Sequence, residues 1–150
     1  MGNLQEKIGM ELEEYSFPIE QGKIKEFVQA IGDTNPVYVS SEAAVQKGHK
    51  NIITPPTFGS CIEFWGGPGF EVLMKKLGVN PVRILHAEQD FEYLGEINPS
   101  DIITAKTRVS NAFRKEGKAG AMNFITLETS YFNQKVEKIL VSHMVIVERL

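Results

Sequence analysis

The chain has 150 residues, 42% of them hydrophobic and 23% charged, which suits one globular domain spanning 1–150 that buries roughly 70% of its unfolded surface. Its net charge is −3 and its cations are scattered, so the clustered positive charge that drives nucleic-acid binding is lacking. No apolar run approaches the ~20 residues that cross a bilayer, and Met1 to Glu14 has no signal-peptide core, so the expected setting is the cytoplasm, with no membrane partner.

Met10 to Ile19 reads as an extended segment closed by Phe17-Pro18, since proline removes a backbone donor and holds its predecessor out of helical geometry. Ile24, Phe27, Val28 and Ile31 then recur at helical spacing, and Gly32 is placed to stop that helix. Asp33-Thr34-Asn35-Pro36 is a dense turn signal, because Asp and Asn side chains fold back onto local backbone. A short helix over Ser41 to Lys47 follows, capped by Ser40 or Ser41. Thr54-Pro55-Pro56-Thr57 opens the next helix, with either threonine as its cap. Phe58 to Trp65 is apolar around most of its girth, the mark of a buried helix. Gly66-Gly67-Pro68-Gly69 interrupts it, and Phe70 to Leu77 resumes a helical pattern.

Beyond Pro81 the pattern changes to strands, at His86 to Tyr93, Asp101 to Arg114, Ala121 to Asn133 and Lys135 to Arg149. Turn signals lie between them, at Gly95 to Ser100, Glu116-Gly117-Lys118 and Asn133-Gln134. Four consecutive strands joined by short turns predict an antiparallel sheet wrapped around one long central helix, an α+β class. Such a sheet leaves a flank uncovered, which predicts a dimer.

Few residues carry chemistry. Cys61 is the single cysteine, so no disulfide or cysteine-cluster zinc site forms; it fits packing in a helix, or a nucleophile with no histidine near it in sequence. His49, His86 and His143 lack metal-ligand spacing, so no metal and no cofactor is expected. His49 is assigned to solvent and His143, among valines, to a core or interface position.

Gly32-Asp33-Thr34-Asn35-Pro36-Val37-Tyr38, followed by Ala44, resembles the hydratase motif of the MaoC-like dehydratases, which have the hot-dog fold. The family pattern is Gly-Asp-x-Asn-Pro-x-His, so Tyr38 stands where the histidine belongs. Thr54-Pro55-Pro56-Thr57-Phe58, Phe64-Trp65-Gly66-Gly67-Pro68 and Leu85-His86-Ala87-Glu88-Gln89-Asp90-Phe91 resemble the subgroup called the MaoC dehydratase N-terminal domain.

The resemblance implies hydration of trans-2-enoyl thioesters, or dehydration of (3R)-hydroxyacyl thioesters, carried on CoA or acyl carrier protein in fatty-acid-type metabolism. That reaction needs a base for water, an acid for the α carbon and donors aimed at the thioester oxygen. It implies Asp33 as a catalytic residue and Asn35 as its orienter, though both also fit plain turn formation. Tyr38 is a weak stand-in for imidazole, since a phenol has a reference pKa of about 10 against about 6.5. His86 is the candidate replacement, or else a structural histidine. Thr57, Phe58 and Gly59 lie at the start of the buried helix, where free N–H groups would face the thioester oxygen, with Gly59 admitting a ligand close to the backbone. Trp65 is a candidate tunnel wall, or core. Two readings follow: a hydro-lyase, or a non-catalytic acyl-binding subunit paired with a histidine-bearing hot-dog chain. The partner set is an acyl thioester and a second hot-dog chain, the same or different.

Overall fold

The computed structural model describes residues 4–117 and 120–150, so Lys118 of one predicted turn lies outside the described residues. Strand β1 (Tyr15–Pro18) ends at its proline and pairs antiparallel with a later strand, Tyr15 opposite Ala105 and Pro18 opposite Ile102. A sheet edge tolerates that missing donor. Helix α1 (Gln21–Ile31) buries Ile24 and Val28. Gly32 stops it in the left-handed region at φ 71°, where its N–H reaches the Gln29 carbonyl (3.2 Å) and that of Asp33 reaches Val28 (3.1 Å). A 3₁₀ turn at Pro36–Tyr38 leads to helix α2 (Ser41–Gln46), which Ser40 caps by accepting from the Ala43 N–H at 3.2 Å.

The expected long central helix is two short ones, α3 (Gly59–Gly66) and α4 (Phe70–Leu77). Pro68 lacks a donor and Gly69 takes φ 83°, so the interruption breaks the helix outright. Neither Thr54 nor Thr57 caps α3; its N-cap position is Phe58, with no side-chain bond. Nor is α3 buried all round. Phe58, Cys61 and Ile62 sit in the core, whereas Phe64 and Trp65 are 61% and 74% exposed, because the sheet covers only one side of the helix.

Strands β2 (Ile84–Tyr93), β3 (Ile102–Gly117), β4 (Gly120–Phe132) and β5 (Lys138–Arg149) complete one five-stranded antiparallel sheet in the order β1-β3-β4-β5-β2. The strands are therefore not paired in simple succession. β2 pairs with β5 at one edge, and residues 94–101 carry the chain across to β3 rather than forming a hairpin turn. That crossing is anchored by buried Ile97, by its carbonyl accepting from the Thr54 N–H (3.1 Å), and by the Asn98 amide donating to the Ile52 carbonyl (2.9 Å). The predicted Asn133-Gln134 turn links β4 to β5, with Asn133 Oδ1 accepting from the N–H groups of Lys135 and Glu137.

Two apolar clusters fill the space between helices and sheet. One joins α1 and α3 to Ile103, Ala105, Tyr131 and Leu140; the other joins α4 to Val109, Ile125, Leu127 and Ile146. No described helix is long and apolar enough to cross a membrane.

Candidate functional site

Asp33 and Asn35 are first of all the builders of a turn. Asp33 Oδ1 accepts from the Asn35 N–H at 2.8 Å, and Asn35 Oδ1 accepts from the Val37 N–H at 3.3 Å, which caps the 3₁₀ turn. The turn drives Tyr38 inward until it is 9% exposed. Burial, then the charge of Asp33, push its phenol above the ordinary range.

Tyr38 lines a cavity of about 220 Å³ with Thr54, Pro56, Tyr93 and Glu96. Tyr93 donates from its hydroxyl to the Pro56 carbonyl at 3.0 Å, and burial pushes that phenol up to about 12. The Thr54 side chain and the Gly59 backbone, at the start of α3, lie beside the same hydroxyl and partly offset that rise. The space beside Gly59 is filled, since a Cβ there would lie 2.3 Å from the Phe91 ring. Glycine at this position lets α3 approach the Phe91 ring on β2 closely.

The remaining expected residues are scattered. Phe58 is fully buried and meets the Phe27 ring edge-on at 5.4 Å, so it is core. Thr57 is exposed in the preceding turn. Trp65 lines neither cavity and lies on the surface with the Lys23 ammonium 5.4 Å from its ring. His49, assigned to solvent, instead pairs with Glu96 at 2.7 Å. Cys61 is buried, which pushes its thiol up. His86 is not brought to Asp33 and Tyr38. It bonds through Nε2 to Gln89 Oε1 (3.1 Å) and lines a different cavity.

That second cavity, of about 210 Å³, lies between α3, α4 and the sheet. Phe64, Phe70, Leu73, Met74, Leu127, Met144 and Ile146 give it an apolar wall suited to an alkyl chain. Glu63 also lines it, a residue the sequence reading passed over. Its Oε1 accepts from the Tyr131 hydroxyl and the Ser142 hydroxyl, both at 2.5 Å, and the Gln89 side chain lies beside the same buried carboxyl. Burial raises the Glu63 carboxyl above the usual range, outweighing the Ser142, Tyr131 and Gln89 hydrogen bonds and the nearby His86. Tyr131 is fully buried, and burial together with the Glu63 charge pushes its phenol up strongly. A carboxylate inside the otherwise apolar run Phe58 to Trp65 was the available signal.

Residues 6–141 match the family described as FAS1-like, dehydratase domain region. The chain belongs to this family. Within it the hot-dog fold expected of a MaoC-like dehydratase is shown: the chain superposes with TM-score 0.80 on a chain of the C-terminally truncated HadBC (3R)-hydroxyacyl-ACP dehydratase complex from Mycobacterium tuberculosis, at 17% identity, covering 94% of this chain and 96% of that one. A UPF0336 protein from Streptomyces griseus is 35% identical over 94 residues, 63% of this chain and 62% of that protein. A Thermomonospora curvata protein named probable enoyl-CoA hydratase alpha subunit is 28% identical over 135 residues, 80% of this chain and 41% of that protein. The chain therefore spans less than two thirds of the length of these sequence relatives.

Proposed function

We propose that this MaoC-like chain is the acyl-binding subunit of a two-chain hot-dog dehydratase. It holds the tail of a (3R)-hydroxyacyl or trans-2-enoyl thioester, on CoA or acyl carrier protein, while a histidine-bearing hot-dog partner carries out the proton transfers. The observation that carries this reading is Tyr38, buried beside Asp33 with its phenol pushed up. Adding or removing water across the double bond needs a group that gives and takes a proton near neutrality. A phenol already near 10 in water, and raised further here, does neither at a useful rate. His86 does not repair the gap, since it lines the other cavity.

Three further features support the same reading. The Gly59 backbone, at the start of α3, lies beside the Tyr93 hydroxyl. The apolar cavity under α3 and α4 has the character of a tail pocket. The outer side of α3 and the edge strand β2 offer a surface for a second hot-dog chain.

The test is hydration of crotonyl-CoA and longer trans-2-enoyl-CoA by the purified chain, with Asp33→Asn alongside, and decanoyl-CoA binding measured in parallel. The expected result is binding without turnover. Turnover by the chain alone that disappears in Asp33→Asn would make it an autonomous hydro-lyase and overturn the subunit reading.

A further inference from the structure

The pairing registers also define the sheet face turned away from the helices, because residues directly opposite one another on paired strands point the same way. On that face β3 presents Lys106, Arg108 and Lys115, whereas β2, at the other flank, presents Glu88, Asp90 and Glu92. There β3 places no carboxylate and β2 no cation, although a face that only meets water mixes the two signs. The two central strands carry an apolar strip instead. β5 offers Val141, Val145 and Val147, and β4 offers Phe124, which stacks on Phe113 of β3 with ring centroids 4.9 Å apart. Glu128 and His143 interrupt the strip, 3.5 Å from each other. The cavity under α3 and α4 draws on the opposite face, through Leu127, Met144 and Ile146, so none of this serves the acyl pocket.

The opposite charges lie in matching rows. Lys106 and Glu92 share one row, through Ser130 and Val141, and Arg108 and Asp90 share the next, through Glu128 and His143. A two-fold axis parallel to the strands, between β4 and β5, reverses each row. Lys106 then faces Glu92 of a second copy, Arg108 faces Asp90, Glu128 faces His143, and Phe124 faces Val147. The other in-plane axis, perpendicular to the strands, would set β3 on β3 and β2 on β2 and so bring like charges together. We infer that this face binds a second copy of the chain, back to back, with the strands of the two sheets aligned and the two-fold axis parallel to them. From a strand spacing of about 4.8 Å and a rise of about 3.4 Å per residue, the patch covers roughly 500–600 Å² on each copy. A total of about 1,000–1,200 Å² is the lower range for a specific interface and fits reversible association.

The test is sedimentation equilibrium of the chain alone, with circular dichroism checking the fold of each variant. Wild type is compared with Lys106→Glu, Glu92→Lys, the two reversals combined, and Val145→Asp. Wild type is expected to self-associate with a dissociation constant in the micromolar range. Each single reversal puts two like-charge contacts into every dimer and should weaken association roughly tenfold, and the combined reversal should restore it. Lys106 also meets Glu14 of its own chain at 3.1 Å, so Glu92→Lys is the cleaner of the two. Val145→Asp should weaken association at least about tenfold by burying an unpaired carboxylate in the strip. A wild type that stays monomeric well above the micromolar range overturns the inference. Association that the reversals leave unchanged overturns it too, and places the contact on α3 or the edge of β2. Strengthening by a single reversal, or no recovery in the combined one, rules out the axis parallel to the strands. Should Val145→Asp not fold, the charge reversals still decide.

Discussion

A Cβ on Gly59 would lie 2.3 Å from the Phe91 ring, so the glycine lets α3 sit close against the edge strand that flanks both cavities. Gly59→Ala should destabilise the fold by about 1–3 kcal/mol through overpacking against the ring. Phe91→Ala should pay part of that back, so a double-mutant cycle followed by urea denaturation will show coupling; strict additivity would mean the ring simply swings aside. Glu63 gives a second test at this scale. Tyr131→Phe removes one donor from Oε1 without changing the packing and should cost ~1–2 kcal/mol. The sign of the pH effect follows from the direction of the shift. Glu63 binds its proton more tightly folded than unfolded, so its contribution is complete below about pH 4.5 and is lost as pH rises through its raised folded value. Glu63→Gln should therefore flatten the decline in stability on the alkaline side of that range, measured as urea midpoints against pH.

Across the sheet face turned away from α3, four strands are laced by charge. Arg108 on β3 meets Glu128 on β4 at 2.8 Å, Glu128 lies 3.5 Å from His143 on β5, and His143 bonds to Asp90 on β2 at 2.9 Å. The hydrogen bond to Asp90, with the two carboxylate charges, raises the imidazole above its ordinary value despite partial burial. For this group stability is fully present below about pH 6.5 and is lost as pH rises through the raised folded value. His143→Gln should remove that part of the pH dependence, read from thermal midpoints on either side of neutrality; an unchanged profile would mean that His143 binds its proton equally in the folded and unfolded chain. The break between α3 and α4 belongs to this scale as well. Because the helix is divided, α4 can tilt its Met74 and Leu77 into the second apolar cluster, and the cavity bearing Glu63 opens between the two helices and the sheet.

For the molecule as a whole, the exposed residues on α3, α4 and the start of β2 form the side that the sheet does not cover. Phe64, Trp65, Phe70, Val72 and Leu85 are all about half exposed or more. Trp65 is the single tryptophan, so its emission reports what happens to this face. Association with the partner chain through α3, one of the two surfaces open to it, should shift that emission to the blue as that chain is added. Phe64→Glu with Trp65→Glu should abolish association in sedimentation velocity while leaving the circular dichroism intact. Unchanged sedimentation of the doubly substituted chain would place the interface elsewhere, with the free edge of β2 examined next.

What the residue order determined by itself was local: α1 stopped at Gly32, the Asp33–Asn35 turn, a serine cap at Ser40 or Ser41, the four long strands and the break at Gly66 to Gly69. Each is set by backbone stereochemistry or by side chains reaching a few residues along the chain. The motif also identified the family, though with Tyr38 in place of histidine it left the chemistry open. Only the tertiary structure decided that β2 pairs with β5, since pairing between residues 47 to 64 positions apart depends on which faces are buried together rather than on any local signal. It alone separated His86 from Asp33, turned Trp65 outward and set Gly59 against Phe91. It also brought Glu63 to Tyr131 and Ser142, residues 68 and 79 positions away. A buried carboxyl acquires its meaning from the groups that the fold packs around it, and those come from distant parts of the chain.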